Sequence, residues 1–367
     1  MIPFPVFHNE VPRAVAHDQH SLRWPLSIIT IEGALATVFT VLTGGAFLTG
    51  LALYWGANDF QIGLLTAVPY ITPVAQLGAA FWIDRTGARK KITVVNSIIA
   101  RQSWWLLLPA MFLPIGLKLE LLIAIVIIFS VAINIATVGW MSWVGDLVPE
   151  RIRGRFFAGR NVAVSIATLI ATMLGGIIID YFRNRDHEIT GYAVIVAAAA
   201  LFAAAAAWLL NRTPDRAPQG ARIGLDHILE PLRNPKFRHL LAVFFFWNIA
   251  IGISAPFFAP HMISNLKMSF TLISIYSSVA AVIAIALNRP WGILIDRFGC
   301  RPVIVITALG IGFIPLFWLF PTPDNLTLLI PEVIWSATLW TGFNLAAFNI
   351  PIRSEEHTSE LQSRITI

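Results

Sequence analysis

Charged residues are scarce in this sequence. Asp, Glu, Lys and Arg together make up 13% of the 367 residues, whereas 57% are hydrophobic. Soluble domains carry about 25% charged residues, which they need to cover the surface of a chain of this length. The shortage argues against a soluble globular protein and indicates that lipid covers much of the surface.

Cysteine is almost absent, and common motifs of enzyme chemistry are missing. Cys300 is the single cysteine, which excludes an internal disulfide and a cysteine metal cluster. The sequence has no Walker loop, no HExxH and no strand-linked GxGxxG, so ATP hydrolysis and zinc chemistry have no residues to carry them. We therefore predict no enzyme activity, no cofactor and no metal site.

Ten apolar runs dominate the rest of the chain, and short polar loops separate them. A helix needs roughly 20 apolar residues to cross a bilayer core about 30 Å thick. We number the runs as spans 1 to 10 and place them at residues 26–53, 61–82, 92–114, 119–147, 157–180, 190–210, 239–262, 270–288, 303–320 and 327–350. The pattern predicts an all-α polytopic membrane protein.

Basic residues are divided unequally among the loops. Nineteen Lys and Arg lie in the N-terminal tail and the loops 83–91, 148–161, 211–238 and 288–302, against four in the loops of the opposite side. Cytoplasmic loops carry such an excess, so we place the N-terminus and these loops on the cytoplasmic side of the cell membrane. Basic residues confined to short loops also argue against nucleic acid as a partner.

Two of these basic loops repeat a pattern. "WIDRTGARKK" (82–91) and "ILIDRFGCRP" (293–302) lie 212 positions apart, and each follows the second span of a set of six. Their shared Asp-Arg-x-Gly-x-Arg comprises Asp84, Arg85, Gly87 and Arg89 in the first copy and Asp296, Arg297, Gly299 and Arg301 in the second. The repeat predicts a duplicated six-span unit, an arrangement that many transporters use to alternate access to a central site.

These loops resemble the cytoplasmic loop motif of the major facilitator superfamily, G-x-x-x-D-R-x-G-R-R/K. The second copy also has the leading glycine, Gly292, where the first has Ala80. Both copies lack the Arg after the central Gly, since Ala88 and Cys300 stand there. The stretch "DLVPERIRGRFFAGR" (146–160) is similar to the family's loop between spans 4 and 5, and adds Asp146 and Arg153 to the candidate set.

The resemblance implies a fold of two six-helix bundles and a function in secondary transport. A small, unidentified solute would be moved by alternating access, with proton coupling as an option. In the family the loop motif is a conformational latch, whose Asp lies near a helix N-terminus of the other half. The alternative is that these charges only anchor the loops. The Arg-containing motif of proton-driven exporters is absent, because residues 119–147 contain no Arg.

The end of the chain departs from the family pattern. No apolar span follows Ile352, and "RSEEHTSELQSRITI" resembles the translation of a sequencing adapter. We therefore expect that spans 11 and 12 are missing and that the last residues form a disordered artefact. The expected layout is a cytoplasmic tail (1–24), a six-span bundle (25–211), a cytoplasmic linker (212–238), an incomplete second bundle (239–352) and the artefact (353–367).

Glu32 and Arg101 are ionisable residues that lie deep within their spans, where such groups are costly and often functional. Glu32 of span 1 and Arg101 of span 3 lie about 12 Å and about 15 Å from the cytoplasmic ends of their spans, at 1.5 Å per residue. They could pair as a structural clamp, Arg101 could extend to the membrane surface, or both could handle substrate or protons.

Further solute candidates come from the resemblance, because spans 1, 4, 7 and 10 line the cavity in the family. These candidates are Asn134, Trp247, Asn248, Trp340 and Asn344. A buried Asn could equally hydrogen-bond another helix, and the Trp residues could face lipid. For the intact protein we expect a monomeric transporter in contact with lipid. The alternatives are a transporter-fold sensor that does not translocate its ligand, and an inactive fragment.

Overall fold

The computed structural model describes residues 14–215 and 235–365. Most of the predicted linker 212–238 and the first part of the predicted tail 1–24 lie outside these ranges. The described chain is almost wholly helical, and its one extended pairing is the isolated bridge between Thr322 and Asn325, which closes a turn. The predicted all-α class is confirmed.

Spans 1 to 6 are built from helices that in several cases consist of two pieces. Their bounds are Ala14–Leu42 and Gly45–Tyr54 for span 1, Asp59–Ile71 and Ala75–Thr86 for span 2, Arg89–Gln102 and Leu107–Ala110 for span 3, Ile115–Leu147 for span 4, Glu150–Arg183 for span 5 and Glu188–Arg212 for span 6.

Spans 7 to 10 follow the part of the chain that is not described. Their helices are Pro235–Pro260 for span 7, Phe270–Phe298 for span 8, Cys300–Ile311 and Ile314–Phe317 for span 9, and Leu329–Ile365 for span 10. The last helix continues past Ile352, where the sequence predicts a disordered tail. The adapter-derived origin of that tail stays a prediction.

Eight helical segments within the described residues are long and apolar enough to cross a membrane, against the ten spans predicted. The two that differ are spans 3 and 10. Span 3 is broken by the 3-10 turn Ser103–Leu106 and begins with three basic residues. Span 10 is a continuous helix, but Glu332, Asn344 and Asn349 lower its apolar content.

Glycine and proline account for several of the breaks. Gly45 has φ +51° at the start of the second helix of span 1, a conformation that costs glycine little. Pro73 lies in the 3-10 turn Thr72–Val74 that divides span 2. Pro260 ends the main helix of span 7 and is followed by the π turn His261–Asn265. Proline removes a backbone donor, so such turns are expected beside it.

The chain divides into two compact units. The first unit comprises Met1–Thr43, Leu64–Thr168 and Val196–Phe244. The second unit comprises Gly44–Gly63, Leu169–Ile195 and Phe245–Ile367. The second unit therefore combines parts of spans 1, 2, 5, 6 and 7 with spans 8 to 10, and the division does not fall at the linker.

Large apolar side chains remain exposed along the spans. Phe112 is 91% exposed, Phe60 77% and Leu319 72%. Aromatic groups such as Trp104 and Trp143 are by contrast fully buried in the first unit. Exposed apolar surface on this scale is costly in water, and it fits helices whose outer faces contact lipid.

Candidate functional site

A buried ion pair joins span 1 to span 3 in the first unit. Arg101 Nη1 lies 3.0 Å from Glu32 Oε1, and the two residues are 8% and 3% exposed. The pair predicted from residue depth is therefore present. Each charge compensates the other, which a group buried at this depth requires because an unpaired charge would be strongly destabilising.

The pair forms one wall of a cavity of about 230 Å³ in the first unit. Spans 1, 3, 4 and 5 supply most of the lining, together with Leu210 of span 6. Hydroxyl groups line it as well, and they belong to Thr37, Thr40, Ser97 and Thr137. The cavity therefore combines charges, hydroxyls and apolar surface, as ligand pockets commonly do.

A second arginine, Arg160 of span 5, also lines this cavity. Its guanidinium carbon lies 4.7 Å from the ring centroid of Trp140 on span 4. Its Nε is buried and has no hydrogen-bond partner. In the sequence, Arg160 belongs to the basic loop 148–161 and is explained by loop charge. The apolar stretch "FFAG" just before it is the signal that it lies in span 5 instead.

Gly33 makes room for that guanidinium. A Cβ at Gly33 would lie 2.5 Å from Arg160 Nη2 and 2.8 Å from its Cζ. Such distances are shorter than van der Waals contact, so any larger residue at this position would displace the arginine. The glycine next to Glu32 thus determines where Arg160 lies.

Asn134 of span 4 is occupied by contacts between helices. Its Oδ1 accepts a hydrogen bond from Gln76 Nε2 at 2.6 Å, and its Nδ2 donates to Ser130 O at 2.8 Å and to Thr72 Oγ1 at 3.3 Å. Gln76 and Thr72 belong to span 2. These bonds favour the structural alternative for Asn134 over contact with a solute.

The remaining solute candidates lie in the second unit. Trp247 stacks on Phe343 with a centroid distance of 4.4 Å and lies 6.2 Å from Trp340. Trp340 and Asn344 line a cavity of about 570 Å³ between spans 8 and 10. Asn248 is exposed and is not among the residues that line this cavity.

A buried acid of the second unit was missed. Glu332 is 1% exposed near the start of the span 10 helix, and Tyr276 of span 8 donates a hydrogen bond to its Oε2. Its place in the first helical turn, where a carboxylate is favoured by the helix dipole, was visible in the sequence, but its tyrosine partner was not.

The first copy of the repeated turn is anchored within its own unit. Arg89 is 7% exposed and forms an ion pair with Asp146, and its Nη1 donates to Ser142 Oγ at 2.9 Å. Arg153 donates to the carbonyl of Gly145 at 2.9 Å. The structure thus brings three of the predicted latch residues, Arg89, Asp146 and Arg153, to the end of span 4.

The residues of the second copy are more exposed than those of the first. Asp296, Arg297 and Arg301 are all exposed, whereas in the first copy only Arg85 and Gly87 are exposed and Asp84 is half-buried. Gly292 has nothing within 4 Å of where a Cβ would lie, so packing does not require glycine there. The central glycines of both copies, Gly87 and Gly299, have positive φ, of 67° and 86°.

The helix ends opposite the basic loops, which we call the distal ends, meet in the second unit. Asp180 of span 5 accepts hydrogen bonds from the backbone amides of Phe270 and Thr271 at 2.9 and 2.6 Å. These amides open the span 8 helix, whose own N-cap, Ser269, accepts from Leu272 N at 3.1 Å. A carboxylate is well placed at a helix N-terminus.

Small residues bring the distal ends into close contact. A Cβ at Gly176 would lie 2.4 Å from Ser274 Oγ, and one at Gly50 would lie 2.5 Å from both Phe270 Cζ and Tyr192 Oη. Phe270 is 1% exposed. Spans 1, 5, 6 and 8 thus pack around one phenylalanine, as membrane helices do where glycines allow close approach.

Long apolar helices with exposed apolar surfaces, a duplicated turn and buried charges define a polytopic membrane protein. Residues 32–355 match the Major Facilitator Superfamily, so the chain belongs to that family. The family indicates a transporter rather than an enzyme, and implies a small-molecule solute and membrane lipid as partners.

Solved structures show the same fold at low sequence identity. The nucleoside transporter NupG is 14% identical, with a TM-score of 0.63 over 89% of this chain and 80% of that chain. A bacterial homologue of the lysosomal transporter Spinster, in an inward-facing and occupied conformation, is 19% identical, with a TM-score of 0.61 over 90% and 73%. The xylose transporter XylE from E. coli, inward open, is 15% identical, with a TM-score of 0.59 over 88% and 80%. No curated protein sequence matches the chain.

Proposed function

We propose that this protein is a secondary transporter that carries a small solute across the cell membrane by alternating access. The N-terminus and the basic loops lie on the cytoplasmic side, as the positive-inside rule requires, and the protein works as a monomer. The observation that carries the proposal is the contact at the distal ends, which joins helices from both halves of the sequence repeat.

This contact has the properties of a gate that can open. Asp180 holds span 8 through two hydrogen bonds to backbone amides, and Gly176 and Gly50 allow the helices to approach closely. Charge-assisted hydrogen bonds of this kind contribute about 1.5–3 kcal/mol each. A ligand can supply differential binding energy on that scale, so it could shift the equilibrium.

The turn at 84–89 is proposed as part of the cytoplasmic latch. Arg89 and Asp146 fix its position relative to span 4, and the exposed Arg85 is the charge that responds to the other half. In this arrangement Arg89, Asp146 and Arg153 support the turn, and the exposed charges make and break contacts.

Proton coupling, where it occurs, is assigned to Glu32. It is a buried carboxylate in the wall of the first unit's cavity, and its partner Arg101 is in contact with it. Glu32→Gln should leave Arg101 without its counter-charge and remove the dependence of flux on an imposed proton gradient. Flux that still follows the gradient in this variant would exclude Glu32 as the coupling group.

A disulfide across the distal contact tests the proposed function. Gly176→Cys with Ser274→Cys, in a Cys300→Ala background, places two thiols at this contact. A Cβ at Gly176 would lie 2.4 Å from Ser274 Oγ and 2.6 Å from the carbonyl oxygen of Phe270, so spans 5 and 8 must move apart to admit it, and the single Gly176→Cys variant carries the same change. Flux into proteoliposomes is measured for a panel of uridine, D-xylose, lactate and inorganic phosphate.

The proposal expects saturable flux of at least one solute in the reduced protein, loss of flux on oxidation and recovery on reduction. Either single-cysteine variant is the control and should not respond to oxidation. Saturable binding without flux for every solute would instead identify a sensor.

A further inference from the structure

We propose that the cavity of the first unit binds a small anionic solute, a carboxylate or a phosphate, with Arg160 as the residue that binds its charge. This inference rests on the proposed transport function and specifies the class of solute. It concerns the cavity of about 230 Å³ lined by Glu32, Arg101 and Arg160.

The charges of this cavity do not balance. Two arginines and one glutamate line it, and Glu32 is already paired with Arg101 at 3.0 Å. Within the described part of the chain, none of the ion pairs closer than 4.0 Å includes Arg160. Glu32 attracts Arg160 as well, but the three groups still sum to one positive charge in a largely apolar surrounding, where such an excess is expensive. A bound anion would compensate it.

Arg160 is held in the cavity rather than extended toward water. Long basic side chains near the end of a membrane helix normally reach for the membrane surface. The guanidinium of Arg160 instead lies against Gly33 of span 1 and over the ring of Trp140. Stacking of this kind orients a guanidinium and leaves its edge free to donate hydrogen bonds, and its buried Nε has no partner.

The hydroxyl groups of the cavity fit the neutral part of such a solute. Thr37, Thr40 and Thr137 each donate a hydrogen bond to a carbonyl one turn back in their own helix. Their protons are therefore in use, while their oxygens can still accept. Donors for an anion must then come mainly from the arginine, and the threonine oxygens would accept from hydroxyl groups of the solute.

The size of the cavity limits the solute. Pockets for drug-sized ligands measure about 300–1,000 Å³, and this one measures about 230 Å³. A small hydroxylated acid, or phosphate itself, is of the right scale. Lactate and inorganic phosphate are therefore suitable probes, and lactamide is the neutral match of lactate in shape.

Binding is measured as the rise in thermal unfolding temperature of the purified full chain in detergent at constant ionic strength. Lactate, phosphate or both should stabilise the protein in a saturable manner, and lactamide should not. A response to one anion alone identifies its class as carboxylate or phosphate. Arg160→Gln should weaken the apparent affinity at least about tenfold, a loss of about 1.4 kcal/mol. Arg155→Gln removes the same charge from an exposed position on the same helix and should leave the affinity unchanged.

A second variant displaces the guanidinium without changing any charge. Gly33→Ala adds a Cβ where Arg160 now lies, and alanine favours a helix over glycine by about 1 kcal/mol, so the protein should still fold. The affinity for the anion should fall here too. Gly159→Ala is the matched control, because nothing lies within 4 Å of its Cβ position.

Three results would overturn the inference: equal stabilisation by lactamide and lactate, unchanged anion affinity in both Arg160→Gln and Gly33→Ala, or no response to either anion. These results leave the proposed transport function standing if a neutral solute shows saturable flux. Absence of flux for every solute, together with anion binding that depends on Arg160, would instead refute transport and retain the anion site.

Discussion

The turn at 84–89 and the turn at 296–301 share four residues, and the last of the four has a different environment in each. Arg89 is 7% exposed and paired with Asp146 of span 4. Arg301 is exposed, and no ion pair within the described residues involves it. The same pattern thus yields an internal anchor in the first copy and a surface charge in the second.

The backbones of the two turns differ as well. Two residues, Gly87 and Ala88, separate the helices in the first copy, whereas Gly299 alone separates them in the second. Gly87 adopts the left-handed conformation with φ 67° and ψ 0°. Gly299 has φ 86° and ψ 166°, a region open almost only to glycine. The shorter turn therefore needs the rarer conformation.

This comparison teaches that a repeated motif specifies the turn, while the neighbouring helix determines what the charges do. The first copy receives a carboxylate and a hydroxyl from span 4, through Asp146 and Ser142. Identical residue types consequently have different energetic weight, and substitutions should separate the two copies.

The largest difference between the two copies in the free energy of unfolding is expected when the last arginine is substituted. Arg89→Gln should lower the free energy of unfolding by about 3 kcal/mol, the lower end for a broken buried pair, because the Asp146 side chain is 28% exposed. Arg301→Gln should change it by less than about 0.5 kcal/mol. Unfolding in detergent by SDS titration measures both. Equal losses would contradict the distinction between anchor and surface charge.

Substitution of the central glycine should destabilise the protein more in the second copy than in the first, which is the reverse of the order expected for the last arginine. Gly299→Asn should cost about 2 kcal/mol, because its conformation is strained for any side chain. Gly87→Asn should cost less than about 1 kcal/mol, since asparagine tolerates the left-handed region. The same titration compares them, and a larger loss at Gly87 would refute the assignment of the two backbones.

The smallest effect is expected at the first arginine of each turn. Arg85 and Arg297 are both exposed, so Arg85→Gln and Arg297→Gln should each alter the free energy of unfolding by less than about 0.5 kcal/mol. Their influence should appear in transport instead, as a changed solute flux in proteoliposomes. Wild-type flux in both variants would show that these two arginines only anchor their loops and take no part in transport.

Much of the fold could be predicted from the sequence, because lipid requires long apolar helices and these are read directly from hydropathy. Span 3 was the weak case, since Arg89, Lys90 and Lys91 belong to its helix rather than to the loop. The Glu32–Arg101 pair could also be predicted, because helix rise gives the depth of each group.

The site could be predicted only in part. In the sequence Arg160 falls at the end of a basic loop, where loop charge already explains an arginine. Its contact with Gly33 depends on how span 1 packs against span 5. The contact of Asp180 with Phe270 joins residues 90 positions apart. No local pattern encodes contacts of this kind, because they arise from tertiary packing.

The hydrogen bonds that cap span 8 determine what it costs to separate span 8 from Asp180 of span 5. If Asp180 withdraws, the amides of Phe270 and Thr271 lose their acceptor, but Ser269 still accepts from Leu272. The first turn can therefore stay wound while water replaces the carboxylate at two donors. Separation therefore replaces one hydrogen-bond acceptor by another and does not unfold the first turn of the helix. Span 8 remains folded, so the contact with Asp180 can form again.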